Sequence, residues 1–230
     1  DSDGDGCLEI WCEWDTGEDN AARLRGLPHA WGADYPPKGR GSAPIASMDV
    51  MGYSYITRNV LAQISDVLKN GEKDYWERKA AEVANKVHEY LWIEEKHACY
   101  DRDKNHEFMD VLTHNNLRMM YYGVFSQDMA DRFVKYHLKN PDEFWTNMPL
   151  PSVAANDPLY EGVVGNNWSG HPQGLTYQRS IIALENYCYI AELTHLGKKL
   201  TEAIGESCYF SQQFDTHTME PTGPKEMTYG

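Results

Sequence analysis

Between residues 49 and 69, Val50, Ile56, Val60, Leu61, Ile64, Val67 and Leu68 recur at three-and-four spacing, which predicts a helix closed by the Asn70-Gly71 stop. Over residues 72–92, Tyr75, Ala80, Val83, Ala84, Val87, Tyr90 and Leu91 mark a second apolar face. The turn between them is short enough to predict an antiparallel hairpin. Residues 94–112 read as a loop with a short ribbon, and helices over 115–125 and 127–138 form a second hairpin. After a long loop over 141–168 the pattern is helical again over 174–193, and a last helix is expected over 196–214. Residues 1–48, rich in Gly, Pro, Asp and Trp with little periodicity, read as ordered loop, where sites are usually built. The expected fold class is therefore all-α, with residues 49–230 as helical hairpins whose long loops gather at one end. No sequence repeat accompanies the hairpin spacing.

Composition narrows the partners. The 230 residues are 41% apolar, enough to bury a core for one or two domains, and no apolar run is long enough to span a membrane. A formal net charge of -14 without a basic stripe argues against nucleic acid and favours a neutral or cationic partner. Five cysteines, an odd number without metal-finger spacing, exclude a full disulfide framework and leave only a Cys7–Cys12 bridge open. Seven Trp and fifteen Tyr suit sugar stacking and core packing alike. The chain begins inside an acidic loop and stops at Tyr229-Gly230 without a helix stop, so it is expected to be a portion of a longer protein. Periplasmic, secreted and cytoplasmic locations all stay open.

Two motifs carry chemistry. In DSDGDGCLE, Asp1, Asp3 and Asp5 alternate and Gly6 permits a sharp turn, so three carboxylates can converge on calcium, with the Cys7 carbonyl and Glu9 as further oxygen ligands. The alternative is a solvated acidic loop. In EWDTGEDNAAR, Glu13, Asp15, Glu18 and Asp19 cluster beside Trp14 and ahead of Arg23. A carboxyl near rings and other acids keeps its proton longer and can donate it to a leaving oxygen, as glycoside hydrolysis requires, although a surface acidic loop reads the same way. Arg23 either pins a carboxylate or binds sugar hydroxyls. Trp31, Trp145 and Trp168 either line a pocket or cap the core, whereas Trp76 and Trp92 are expected in the core. The isolated His114, His137, His171 and His195 propose no transition-metal site.

TGEDNAAR, from Thr16 to Arg23, resembles the acid-bearing segment S-G-x-D-N-[SA]-x-R of glycoside hydrolase family 63, inverting α-glycosidases on a toroid of six helical hairpins. The bacterial exo-α-glucosidase branch also carries a calcium loop similar to Asp1–Gly6. Ser47-Met48-Asp49-Val50-Met51 is similar to its S-V-D-L-N, with Ala46 where the branch has a Glu. PSVAANDPLY and NWSGHPQ resemble P-[SL]-x-x-x-x-[DN]-P and Y-W-R-G-x-x-W, with Ser169 and Gln173 replacing the Arg and second Trp, and Asn186-Tyr187-Cys188-Tyr189 is similar to Y-G-Y. The resemblance implies an (α/α)6 toroid present as a C-terminal portion, six or seven helices of twelve, with an N-terminal segment supplying the rest. It implies Asp19 as general acid, calcium as cofactor, and Trp14, Asn20, Arg23, Trp31, Trp168, Gly170 and His171 as sugar contacts. The substrate class is a small α-linked oligosaccharide or glycoside. Gln212 falls where the family has its general base, a Glu, and Glu220 is the alternative. A substituted or naturally altered base position, a calcium-stabilised carbohydrate-binding module, and an enzyme acting on glycosylated glycerate or mannosides all remain open.

Overall fold

The computed structural model describes residues 1–29 and 41–223. Trp31 lies outside them. Among the described residues six α-helices follow one another in three pairs joined by short turns: α1 (Met48–Leu68) and α2 (Lys73–Lys86), α3 (Asn115–Tyr122) and α4 (Gln127–Phe133), and α5 (Gly174–Asn186) and α6 (Ile190–Ser207). The first and last pairs pack as hairpins, while α3 and α4 make little direct contact. Wider π-type turns, Val87–Leu91 and Val134–Leu138, extend α2 and α4. Each short turn contains a residue in the left-handed conformation that ends a helix: Lys69 at φ 54°, Gly123 at 73° and Cys188 at 62°. The short turns lie at one end, so the long connections 92–114 and 139–173 collect at the other.

The helices are layered as the hairpin pattern demands. α1 packs on α3 and α3 on α5, forming an inner row, while α2 backs onto α1 and α6 onto α5. Gly52 permits a close approach of α1 to α3, because a Cβ there would strike the Tyr122 ring. Met51, Val87, Leu91, Leu117, Met119, Met120, Phe133, Phe144, Leu184, Leu196 and Phe214 fill the main core. A second cluster of Ile10, Leu24, Ile45 and Trp168 lies under the loops. No helix among the described residues is long and apolar enough to cross a membrane.

The last hairpin departs from the expected boundaries. The break falls at residues 187–189, not after 193, because Tyr187 turns into the core and its hydroxyl donates to the Phe125 carbonyl at 2.8 Å. Apolar spacing runs on through that break, so periodicity does not register it. α6 then stops at Ser207, where Cys208 takes φ 60°, and the chain doubles back to bury Phe214 completely. Residues 211–214 are thereby extended beside Gln173, through a Gln173–Gln213 bridge and a Gly174 N–H bond to the Gln212 carbonyl at 2.8 Å. On α1, Val60, Ile64, Val67 and Leu68 are helical as expected but exposed among the described residues. All five cysteines are unbridged, Cys7 and Cys12 included.

Candidate active site

The acid segment is fixed by a buried ionic network. A two-stranded ribbon, β1 (Glu9–Ile10) with β2 (Ile45–Ala46), leads into it and ties it to the start of α1. Glu18 is buried and meets Arg23 Nη2 at 2.8 Å, Arg118 Nη2 at 2.7 Å and His114 Nε2 at 3.1 Å. Arg23 also reaches Asp101, whose other oxygen accepts from the Met48 N–H at 2.8 Å, and Arg118 reaches Asp49 at 2.5 Å. Thr176 donates to His114 Nδ1 at 2.9 Å, the arrangement of a neutral imidazole whose Nε2–H is given to Glu18. The network therefore joins α1, α3 and α5 beneath the loops. Burial pushes the Glu18 carboxyl up, but Arg118, Arg23 and His114 outweigh it and hold it well below its ordinary 4.5. Burial lowers His114 below its ordinary 6.5 against the pull of Glu18.

Asp19 follows directly and is half-buried, at the surface of this foundation. Its carbonyl accepts from the Trp168 N–H at 3.2 Å and its Oδ2 accepts from Asn166 Nδ2 at 2.7 Å. Asn166 Oδ1 in turn accepts from Gln212 Nε2 at 2.9 Å. With ordinary amide bond lengths, these two bonds put Asp19 Oδ2 and Gln212 Nε2 no more than about 8 Å apart. Asp19 and Gln212, 193 positions apart in the chain, are thus brought to one place. Glu220 is not part of it. It is exposed on the hairpin between Phe214 and Pro221, and its carboxylate makes no ion pair among the described residues.

The other expected sugar contacts separate into exposed and buried. Trp14 is 63% exposed and rests edge-on against His29, with ring centroids 5.8 Å apart. Asn20 is exposed and donates to the Asn166 carbonyl at 3.0 Å. Arg23 is a correction, because both its arms are buried against Glu18 and Asp101; it pins carboxylates. Trp168 is likewise packed in the core, beside His114 and the Arg118 guanidinium. Gly170 is buried where a Cβ would overlap the Glu161 carbonyl, so its role is close backbone packing. His171 is buried with Nε2 3.9 Å from Asp215. Trp145 stacks on His195 and Trp92 is in the core, while Trp76 lines a cleft of about 520 Å³ that opens over Asp49, Arg118 and Tyr122. Neither Asp19 nor Gln212 lines that cleft.

The acidic loop gathers its side chains into two groups that share Asp3, and the three aspartates do not form one cluster. Asp1, Asp3 and Glu9 each bring an oxygen within 4.8 Å of the others, and Asp3 and Asp5 do the same with a ring nitrogen of His106. Gly4 and Gly6, at φ 81° and 82°, supply the left-handed turns. Among the described residues no lysine or arginine forms an ion pair with these acids. Burial, then Asp5, push the Cys7 thiol up to about 12, so its carbonyl is the only hard donor that residue has. Glu9 stands directly across the ribbon from Ala46 and shares its face, which puts a carboxylate beside the position where the resembling branch has its Glu. Hard oxygens in this number suit calcium.

Sequence reasoning reached Asp19 through its motif and missed Asn166, Asp101, Arg118 and His106. Each lies in a stretch whose local pattern reads only as loop or helix.

A row of paired helices with an acid segment set among the loops at one end is the architecture of part of an (α/α) toroid. The chain belongs to the mannosylglycerate hydrolase MGH1-like glycoside hydrolase domain family, matched over residues 1–229. Among curated proteins no sequence relative was found. Its fold is similar to the family 63 mannosylglycerate hydrolase of Thermus thermophilus in complex with glucose, at 17% identity and TM-score 0.66 over 78% of this chain. An uncharacterized conserved protein of the same organism matches 94% of the chain at 15% identity and TM-score 0.72. A sialidase matches 98% at 12% identity and TM-score 0.79. The chain spans 44%, 62% and 20% of these proteins, respectively. At such identities the likeness shows the fold alone.

Proposed function

We propose that the chain carries the acid-bearing part of an inverting α-glycosidase site, in which Asp19 protonates the glycosidic oxygen. The observation that supports this is the Asp19–Asn166–Gln212 chain of hydrogen bonds. That chain keeps the two groups within about 8 Å of each other, so a separation in the lower part of the 6.5–9.5 Å range for an acid and a base on opposite faces of a sugar is open to them. Buried Glu18 with its two arginines orients the loop, and Trp14 and Asn20 are the exposed side chains available to a sugar. The substrate is a small α-glycoside, an α-glucoside or a mannosylglycerate-like compound. Support for the latter is the family match and the Thermus enzyme's complex with Tris and D-glycerate.

Gln212 sets a limit on the reaction. An amide cannot take a proton from water, so the chain as it stands is nearly inactive in hydrolysis. The exposed Glu220 does not replace it. Asp1, Asp3, Asp5 and Glu9, with the Cys7 carbonyl, would hold calcium, which would neutralise the loop and brace the ribbon that leads to Asp19.

The amide at position 212 also favours a second reading, a calcium-stabilised carbohydrate-binding module. One experiment separates the two. A Gln212→Glu variant of the whole protein is assayed for release of glucose or mannose from α-disaccharides and mannosylglycerate, and the first anomer released is identified by NMR. Hydrolysis with inversion is expected. No gain over the unchanged protein, with sugar binding retained, sinks the enzymatic reading and leaves the binder.

A further inference from the structure

The cleft of about 520 Å³ beside α1 contains a cation without a counter-charge. Its walls bring Tyr53, Ser54 and Arg58 from α1, Arg118 and Tyr122 from α3, and Arg179 from α5 to one space. Arg179 forms no ion pair and no hydrogen bond among the described residues, and its Nη1 is buried. The carboxylates nearby are committed elsewhere: Glu18 to Arg23 and Arg118, Asp101 to Arg23 and Asp49 Oδ2 to Arg118. Asp15, on the cleft wall, accepts from the Trp11 and Cys12 N–H groups at 2.7 and 3.1 Å. Asp49 Oδ1 and Arg118 Nε, both buried on the same wall, are without hydrogen-bond partners as well. Burial, then Arg118, lower the Arg179 guanidinium from its ordinary value against the pull of Asp49. A guanidinium stays charged in proteins, and a partly buried charge is costly until it is paired.

The walls also indicate what would pair with it. Tyr53 is 63% exposed and stands edge-on to Tyr122, with ring centroids 5.7 Å apart, and Trp76 and Leu61 add further apolar surface. Such half-polar rings suit the face of a sugar, while Ser54 and Thr57 add hydroxyls for its polar edge. The planar fork of a guanidinium matches a carboxylate. A phosphate dianion would call for a second free cation, but Arg118 is engaged with Glu18 and Asp49, and Arg58 gives its Nη1 to the Lys79 carbonyl at 3.0 Å. The chain's net charge of -14 disfavours anions in general, so an anion here would have to be recognised by local contacts.

We propose that this cleft is a binding site for an acidic sugar, a pyranose ring that carries a carboxylate. Arg179 takes the carboxylate in its fork, and Tyr53 gives the ring a face to lie against. Neither Asp19 nor Gln212 lines the cleft, so the site does not depend on the reading of those two residues as acid and base.

The test is calorimetric titration of the whole protein with glucuronate, glucose, acetate and inorganic phosphate as separate probes. Glucuronate is expected to bind at least about tenfold more tightly than each of the other three, the factor that one charge-assisted hydrogen bond supplies. Arg179→Gln is expected to bring glucuronate down to the level of glucose, and Tyr53→Ala to weaken both sugars alike. Should the glutamine variant not fold, Arg179→Lys, which keeps the charge but loses the fork, is expected to bind glucuronate more weakly than the unchanged protein. Asp19→Asn is expected to bind it as before. Glucose binding as tightly as glucuronate would deny recognition of the carboxylate, and acetate or phosphate doing so would deny the ring. Either result overturns the proposal, as does the absence of glucuronate binding or its indifference to Arg179. Loss of binding in the Asp19→Asn protein overturns it too, by moving the ligand to the proposed acid. The readout is binding, so a protein that cleaves no glycoside still tests this site, and failure here leaves the glycosidase reading standing.

Discussion

Glu18 and the group of Asp1, Asp3, Asp5 and Glu9 belong to one acidic stretch of chain and meet opposite fates. Glu18 is buried with Arg23 and Arg118 from the chain itself and with a neutral His114. Asp1 and Asp3 are exposed while the Asp5 and Glu9 side chains are largely covered, and around them stand His106, the N-terminal ammonium, Ser2 and Trp11 but, among the described residues, no lysine or arginine ion pair. The contrast shows two ways to make a loop rigid. A buried carboxylate needs partners built in, because an uncompensated charge in the interior is costly. An exposed cluster can leave its compensation to a cation from solution. Asp19 lies just beyond the buried kind and inherits its rigidity.

The contrast breaks most severely at Arg118. Arg118→Met strands Glu18 and Asp49, and a loss of about 3–5 kcal/mol is expected from the general cost of removing one partner of a buried pair. Urea denaturation measures it, and a loss below about 1 kcal/mol would show that the network is solvated. On the exposed side, calcium at a hundredfold excess over its Kd should stabilise by about 2.7 kcal/mol. Thermal unfolding should move by several degrees, with no response in an Asp3→Asn, Asp5→Asn protein; an equal response to magnesium would show general charge screening.

The smallest effect is that of pH. His114 has its folded pKa below its ordinary 6.5, so the unfolded chain takes up a proton there that the folded chain refuses. Stability is therefore lost as pH falls through about 6.5, and a His114→Gln protein should lose less between about pH 7.5 and 5.5. Glu18 acts later, because its folded pKa lies below 4.5: its contribution is complete above that value and is lost as pH falls beneath it. Asp101, pushed up from its ordinary 3.8 by burial, acts in the opposite sense near that value, so the window above about pH 5.5 isolates the histidine effects. A pH profile unchanged by the His114 substitution would reject this assignment.

Residue patterns already show the paired helices, the acid-rich loop and the candidacy of Asp19. They do so because helix periodicity, turn residues and metal-loop spacing are short-range properties, set by neighbours within a few turns. The break at Tyr187 and the reversal after Cys208 are not legible that way, because each is fixed by burying a ring against distant elements while the local spacing runs on unchanged. The same holds for Trp168, which the sequence offers equally to a pocket and to the core, and for Arg23, which it offers to a carboxylate or to a sugar. Only the packing of α1, α3 and α5 settles them, by closing Glu18, Asp101 and Asp49 around the guanidinium groups. Asn166 has no motif to reveal it. Its meaning depends on two partners 147 and 46 positions away. Chain chemistry by itself determined which groups could act, and the tertiary fold decided which of them meet, because hydrogen bonds and charge pairs act over a few ångströms whatever the distance along the sequence.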